Sequence, residues 1–251
     1  MKMKLPNLNL HIHSTYSDGK NSISQIVTSA LDKDLDYICI TDHFTNSWKA
    51  DIIPNLNSLD KIEMYLEEID HFQKYLLEEE RQMALFKGIE IDLSSTEKYI
   101  LNSISPTKFD IILFEYLENI EGIAFIKKII NYWKRNTKNS KAFPLIGLAH
   151  FDPSFFVING MNILIDFLTQ NRIFFEFNTS YPQFYSQRNS SFFDQLKQKN
   201  ILVSIGCDSH HISTLIDIEE AYNRVKLYML EDNLLNLIQI LDKKRIKESL
   251  N

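Results

Sequence analysis

Residues 8–19 read LNLHIHSTYSDG, and residues 201–210 read ILVSIGCDSH. Each stretch is a short apolar run that ends in side chains able to bind a metal ion. In an extended strand, residues i and i+2 point to one face. His11 and His13 therefore project together, and Asp208 and His210 have the same spacing. Working outward from these two stretches, the pattern repeats along the chain. The strand-like runs are Leu8–His13, Tyr37–Thr41, Leu85–Ile91, Phe109–Phe114, Pro144–Ala149, Ile173–Phe177 and Ile201–Gly206. The second leads into Asp42-His43, the third carries Gly88-Ile89-Glu90, the fifth ends at His150, and the sixth gives Glu176-Phe177-Asn178.

Between these runs lie stretches of helical period. Ile23, Ile26, Val27, Ala30 and Leu31 follow the spacing of one helix face, and Ser22 with Gln25 forms a capping-box signature ahead of them. Ile62, Leu66, Ile69, Gln73 and Leu76 form a second stripe after Ser58. Further helices are expected over Ile123–Trp133, Met161–Leu168, Phe192–Leu196 and Leu230–Leu241. Alternation of strand and helix implies parallel strands joined by crossover helices, and continuously apolar strands fit a sheet covered on both faces. Seven such strands point to a closed or nearly closed α/β barrel; an open doubly wound sheet is the competing arrangement. No glycine-rich phosphate loop follows any strand, which removes the usual dinucleotide and P-loop readings.

At 251 residues with 44% apolar composition, one domain spanning 1–251 accounts for the chain. The net charge of −6 leaves no global basic footprint for nucleic acid. The basic clusters, Lys127/Lys128, Lys134/Arg135/Lys138/Lys141 and Lys243/Lys244/Arg245/Lys247, read as solvated helix faces. Cys39 and Cys207 lie in apolar runs and read as buried core thiols. With no signal peptide and no long apolar run, the expectation is a cytoplasmic protein that does not engage a membrane.

The polar residues carry the chemistry. In parallel barrels, active sites form at the C-terminal ends of several strands, where residues distant in sequence meet. Five of the seven histidines, His11, His13, His43, His150 and His210, fall at such ends. His71 lies opposite the apolar stripe of its helix, and His211 is expected to point away from its neighbour. Imidazole and carboxylate without thiolate suit Zn, Mn or Fe better than Mg or Ca.

Taken in order, HIHSTYSDG, ITDH, GIE, LAH and GCDSH resemble the motifs of the polymerase and histidinol phosphatase (PHP) family, from residue 9 to about residue 211. The resemblance implies a distorted seven-stranded (β/α)7 TIM-like barrel, with C-terminal helices over 219–251. It implies two or three divalent metal ions and hydrolysis of a phosphate ester by metal-activated water. Carried over, it makes His11, His13, Glu90 and Asp208 the ligands of one metal. Glu90 then bridges to a second that takes His150, and Asp18, His43 and His210 hold a third. Asp18, His43, Glu90 and His210 are the residues expected to serve catalysis, Asp42 to brace a loop, and Asn178 and Arg188 to face substrate. The chain departs from the family after its fourth strand, where FDIILFEYLEN lacks the usual histidine. Glu115 is the first substitute and Glu118 the second.

The expected substrate is a small phosphomonoester, as for a histidinol phosphatase. A phosphodiesterase or nuclease acting on oligonucleotides is the alternative, and a degenerate barrel serving as an interaction module is another. Trp48, Tyr181, Phe184 and Tyr185 border the expected mouth and read as aromatics that pack the loops.

Overall fold

The strand ends set the architecture. In the computed structural model, which describes residues 5–137, 143–158 and 160–248, the strands are β1 (Leu8–Ile12), β2 (Tyr37–Ile40), β3 (His43–Phe44), β4 (Ala84–Asp92), β5 (Ile111–Glu115), β6 (Leu145–Leu148), β7 (Phe174–Asn178) and β8 (Val203–Gly206). Seven of them pair in parallel in the order β1-β2-β4-β5-β6-β7-β8, and the two-residue β3 adds to β4. The second expected strand is thus broken at Thr41-Asp42. Its continuation sets His43 beside Glu90 in register.

The barrel is nearly closed between its first and last strands, β1 and β8. Ile12 bridges Ser209 in parallel. The His13 N–H donates to the Ser209 carbonyl at 2.9 Å, and the Ser209 N–H donates to the His11 carbonyl at 3.1 Å. Below this point, a side chain replaces the backbone ladder. The Asn9 carboxamide accepts from Cys207 N–H at 3.3 Å and donates to the Leu215 carbonyl at 3.0 Å. It is fully buried, so these bonds have no water to substitute for them.

The crossover helices are α1 (Ile23–Asp32), α2 (Leu59–Glu78), α3 (Glu97–Ser103), α4 (Ile120–Asn136), α5 (Ser154–Val157), α6 (Met161–Asn171) and α7 (Ser190–Gln198); α8 (Glu219–Leu227) and α9 (Glu231–Glu248) follow the last strand. The Ser22–Gln25 capping box forms at the start of α1, and Ser58 caps α2. The short α3 and α5 span seven and four residues, too few turns for a clear 3.6-residue period. Helices cover the outer face of the strands. From β7, Phe175 and Phe177 point outward onto Phe192 and Phe193 of α7, with ring centroids 5.2 Å and 5.6 Å apart for the pairs 175/192 and 177/193. From α2, the buried Tyr65 hydroxyl reaches the carbonyls of Ile40 at 2.7 Å and Gly88 at 2.8 Å, tying that helix to β2 and β4.

Cys39 and Cys207 are buried and unpaired, and His71 is exposed on α2, as expected. Lys138 and Lys141, and the side chain of Lys247, lie outside the described residues. Among the described residues, no helix is long and apolar enough to cross a membrane.

Replacing Asn9 by Ala takes a partner from the Cys207 and His11 N–H groups and from the Leu215 carbonyl at the closing seam. The expected cost is about 2 kcal/mol or more, seen as a lower urea midpoint at an unchanged m-value.

Candidate metal centre

Every barrel strand but β2 delivers a polar side chain to one mouth, and β2's broken continuation, β3, delivers His43. From β1 come His11 and, one residue beyond it, His13, both buried. From β3 and β4 come His43 and Glu90, and from β5 comes Glu115. His150 follows β6, and Glu176 and Asn178 lie on β7. Asp208 and His210 follow β8. Three residues at these ends, Tyr116, His150 and Asp208, have positive φ values of 65°, 32° and 50°. A left-handed residue costs roughly 1–2 kcal/mol when it is not glycine. The strain is held in place for His150 by its own N–H, which donates to Glu176 Oε2 at 2.7 Å.

The ligand atoms converge. His11 Nε2 lies 3.3 Å from Glu90 Oε1 and 3.5 Å from Asp208 Oδ1. His13 Nε2 lies 2.9 Å from the same Asp208 oxygen. His210 Nε2 and His43 Nε2 lie 3.2 Å and 3.7 Å from Asp18 Oδ1. His150 Nε2 stands 3.2 Å from Glu90 Oε1, and His43 Nδ1 stands 2.8 Å from Glu90 Oε2. Among the described residues, three sets have all ligand atoms within 4.8 Å of one another: His13, Asp18, His43 and His210; His11, His13 and Asp208; and His43, Glu90 and Glu115.

Proximity here is not hydrogen bonding. Asp18 Oδ1, His43 Nδ1 and both Glu90 carboxylate oxygens are buried without a hydrogen-bond partner among the described residues. Such atoms are costly to leave unmet. They crowd around common points, an arrangement that fits cations between them. The donor set, imidazole and carboxylate, is the one that Zn, Mn and Fe take.

The electrostatics agree. Burial lowers the affinity of His43 for a proton, yet Glu90 and Glu115 outweigh it and push the imidazole up to about 10. His11 is likewise raised well above its ordinary value, against burial, by Glu176, Glu90 and Asp208. Burial and the neighbouring His43 keep His13 low. Burial favours the neutral acid at Asp18, but His210, His43 and His13 hold it near 2. Glu90 is held well below the usual carboxylate range, against burial, by His11 and His43. The pocket is a concentration of negative charge that draws positive charge, protons or metal ions alike.

Outer partners orient the ligands. Glu176 Oε1 sits 2.9 Å from His11 Nδ1, which leaves Nε2 as the ligating nitrogen. Gly206 makes room for this contact, since a Cβ there would stand 2.1 Å from Glu176 Oε1 and 2.7 Å from His11 Cβ. His210 Nδ1 lies 2.9 Å from the Asp208 carbonyl, which turns its Nε2 towards Asp18. Asp42 accepts from Ser14 N–H at 2.8 Å and Ser17 N–H at 3.0 Å, and from both hydroxyls. It therefore pins the loop that carries Asp18, the bracing part expected of it.

All eight expected ligands meet here, and Glu115 with them. Its carboxylate is buried, 3.6 Å from His43 Nδ1, but both its oxygens bind Lys49 Nζ at 2.8 Å. Burial disfavours the Lys49 charge, and Glu115 more than restores it. Glu118 is exposed. Asn178 lies in the site, donating to Glu176 Oε2 at 3.2 Å. Arg188 is exposed on a turn over Gln187–Asn189, with no hydrogen bond or ion pair to the cluster. His211 is exposed and caps the following turn. Tyr181 packs its loop, stacked on Phe184 at 5.4 Å between ring centroids, and also reaches the site: its hydroxyl lies 3.4 Å from Asp208 Oδ2 and its ring 4.5 Å from that of His150. Tyr185 is buried and Trp48 is 67% exposed. Glu176 was marked at a strand end but given no part beside His11, and Lys49 was not anticipated. Alternation along β7 could have placed Glu176 inside the barrel; a lone lysine in a loop carries no comparable signal.

A family model described as PHP domain matches residues 9–249. Comparison with curated protein sequences gives no match. Among solved structures, histidinol phosphate phosphatase from Lactococcus lactis, complexed with zinc, L-histidinol and phosphate, is similar at 18% identity and a TM-score of 0.57, over 90% of this chain and 94% of that one. A protein assigned as histidinol phosphatase from Listeria monocytogenes follows at 15% identity and 0.56, over 82% and 96%. A third similarity, at 14% identity and 0.54 over 87% and 86%, is to a structure from work on YwqE of Bacillus subtilis and CpsB of Streptococcus pneumoniae, described as metal-dependent tyrosine phosphatases. At these identities the likeness is one of fold.

Replacing Glu176 by Gln removes the charge behind His11 while keeping its volume. Metal affinity should fall by about 10- to 100-fold, measured by competition with a chromogenic chelator.

Proposed function

This chain belongs to the PHP family, and from that premise we propose that it hydrolyses a small phosphomonoester with divalent metal ions held at the barrel mouth. The observation that carries the reading is the convergence of imidazole nitrogens and carboxylate oxygens from six strand ends, with four buried ligand atoms otherwise unpartnered. When bound, the ions supply Lewis acidity towards phosphate oxygens and ease the deprotonation of an attacking water.

The chain's own residues have distinct tasks. His11, His13, Glu90 and Asp208 hold one ion, and Asp18, His43 and His210 another. Glu90, His150 and Glu115 border a third position. Asp18 and His210 are the most exposed of the ligands, with side chains 25% and 35% accessible, so the phosphate group approaches over them. Asp18 and His210, with the buried His43 and Glu90 beside them as the family resemblance implies, are the residues assigned to catalysis. Glu176 and Asp42 keep imidazole and loop in position, which lowers the reorganisation needed when charge develops on phosphorus. Tyr181 lines the same mouth and is the side chain assigned to meet substrate, whereas Asn178 is fully buried, engaged by Glu176 and by the Ser180 N–H, and braces the site from behind instead of facing substrate as expected. Arg188 lacks that placement and receives no part.

The distribution of basic residues supports a small substrate over a nucleic acid strand. Lys244 Nζ donates to the carbonyl of Phe143, which precedes β6, and Arg245 donates to that of Gln82, which precedes β4. Both stand at the N-terminal ends of the strands, opposite the metal centre. Lys134, in the last turn of α4, lies over Phe143 at the same end. A polymer tracking these charges would not reach the mouth. The two described activities among the similar folds, on histidinol phosphate and on phosphotyrosine, are also monoester hydrolyses.

The test is a parallel assay of metal-loaded protein on histidinol phosphate, phosphotyrosine, nucleoside monophosphates and a single-stranded oligonucleotide. Monoester turnover is expected, abolished by exhaustive chelation and restored by Zn or Mn. The double variant His11→Ala/His13→Ala should lose activity by about 10³-fold or more, on the scale of losing a metal's contribution. Full turnover after chelation, or cleavage of the oligonucleotide alone, would overturn the reading.

A further inference from the structure

The third ligand position is unlike the other two, because a side chain of this protein already reaches into it. Lys49 Nζ lies 2.8 Å from each oxygen of Glu115, and 4.9 Å from the centroid of the Tyr116 ring. Its side chain is 12% exposed and that of Glu115 is 1% exposed, so the pair is shielded from water. The lysine is fixed from behind as well. It sits in the turn Trp48–Asp51, whose cap, Ser47, accepts from Lys49 N–H at 3.2 Å. The Ser47 hydroxyl, with that of Thr45, donates to Asp92 at the end of β4. The ammonium is thus built into the rim rather than draped over it.

The imidazoles limit what remains. A neutral imidazole offers one lone-pair nitrogen, the other being a donor. His43 faces Asp18 through Nε2 and Glu90 through Nδ1, and it belongs to two of the three ligand sets. It can serve one of them. With His43 committed to Asp18 and His210, the remaining ligands are Glu90, already shared, His150 and Glu115. Of these, Glu115 has both oxygens engaged by Lys49.

We propose that the ammonium group of Lys49 takes the place of a metal cation in this cluster, so that the centre binds two divalent ions beside one built-in positive charge. The proposal rests on the metal-centre reading and specifies its stoichiometry. Glu115 then serves as the counter-ion of Lys49 rather than as a metal ligand. Lys49 offers the entering phosphate a fixed cation that does not dissociate.

The experiment counts metal. Wild-type protein, Lys49→Met, Lys49→Arg and Glu115→Gln are loaded with zinc or manganese chloride, freed of excess by gel filtration, and measured by elemental mass spectrometry against protein concentration. Circular dichroism checks the fold of each. The wild type should hold two ions per chain, Lys49→Arg two, and Lys49→Met three. Glu115→Gln should keep two, with affinity unchanged within about 3-fold, because no ion loses a ligand. Three ions in the wild type overturn the proposal without any variant. Two in a folded Lys49→Met, or loss of an ion in Glu115→Gln, overturn it as well. Should Lys49→Met not fold, the wild-type and Glu115→Gln counts decide the matter. A wild type that retains no ion sinks the metal-centre reading itself, which is a different result from three.

Discussion

The parallel pairing of residues 11–13 with residue 209 holds both the fold and the site. His13 N–H to Ser209 and Ser209 N–H to His11 bring the first strand against the last. The same two bonds fix His11 and His13 beside Asp208, with 2.9 Å from His13 Nε2 to Asp208 Oδ1. A one-residue slip in this register would turn the imidazoles out of the barrel, because strand side chains alternate in face. Closure and ligand geometry are therefore a single constraint. Asn9, in turn with His11 and His13 on the inward face, seals the seam beneath them.

Around that seam, the problem is surplus charge. Glu90, Glu115, Asp18, Asp208 and Glu176 stand among five imidazoles in a largely dry mouth. Carboxylates crowded in this way need cations or protons to coexist. The chain meets part of the need with Lys49, and the unpartnered atoms of Glu90, Asp18 and His43 mark where the rest must come from. Strain enters at the same places. The left-handed backbone of Tyr116, His150 and Asp208 lies at the ends of three strands that feed the site. Metal affinity and barrel stability are coupled through these residues, as expected when a site is assembled only in the folded state.

Much of this was legible in the order of residues. Short continuous apolar runs gave the seven main strands and the 3.6-residue period gave the longer helices, because both faces of a barrel strand and one face of each helix must be apolar. Histidine at a strand end is conspicuous for the same reason: an apolar run that stops at His11, His43 or His150 has no packing motive for doing so. Short elements escaped. The two-residue β3 and the short helices α3 and α5 carry too few positions for a period to register.

By itself, then, the sequence determined the barrel, the end of it where imidazoles and carboxylates gather, and the eight residues proposed as ligands, since each of these is written in apolar runs and in motif order. Only the tertiary structure decided what stands behind and between them. Glu176 is one of many acids until the register of β7 against β8 sets it on His11 across the gap left by Gly206. Lys49 is an ordinary loop cation until Ser47 and Asp92 swing it onto Glu115, 66 positions away in the chain. Arg188, equally plausible as text, is left on an exposed turn. Contacts between residues far apart leave no periodic trace, so whether a charge serves the site or the solvent is settled by where the folded backbone carries it.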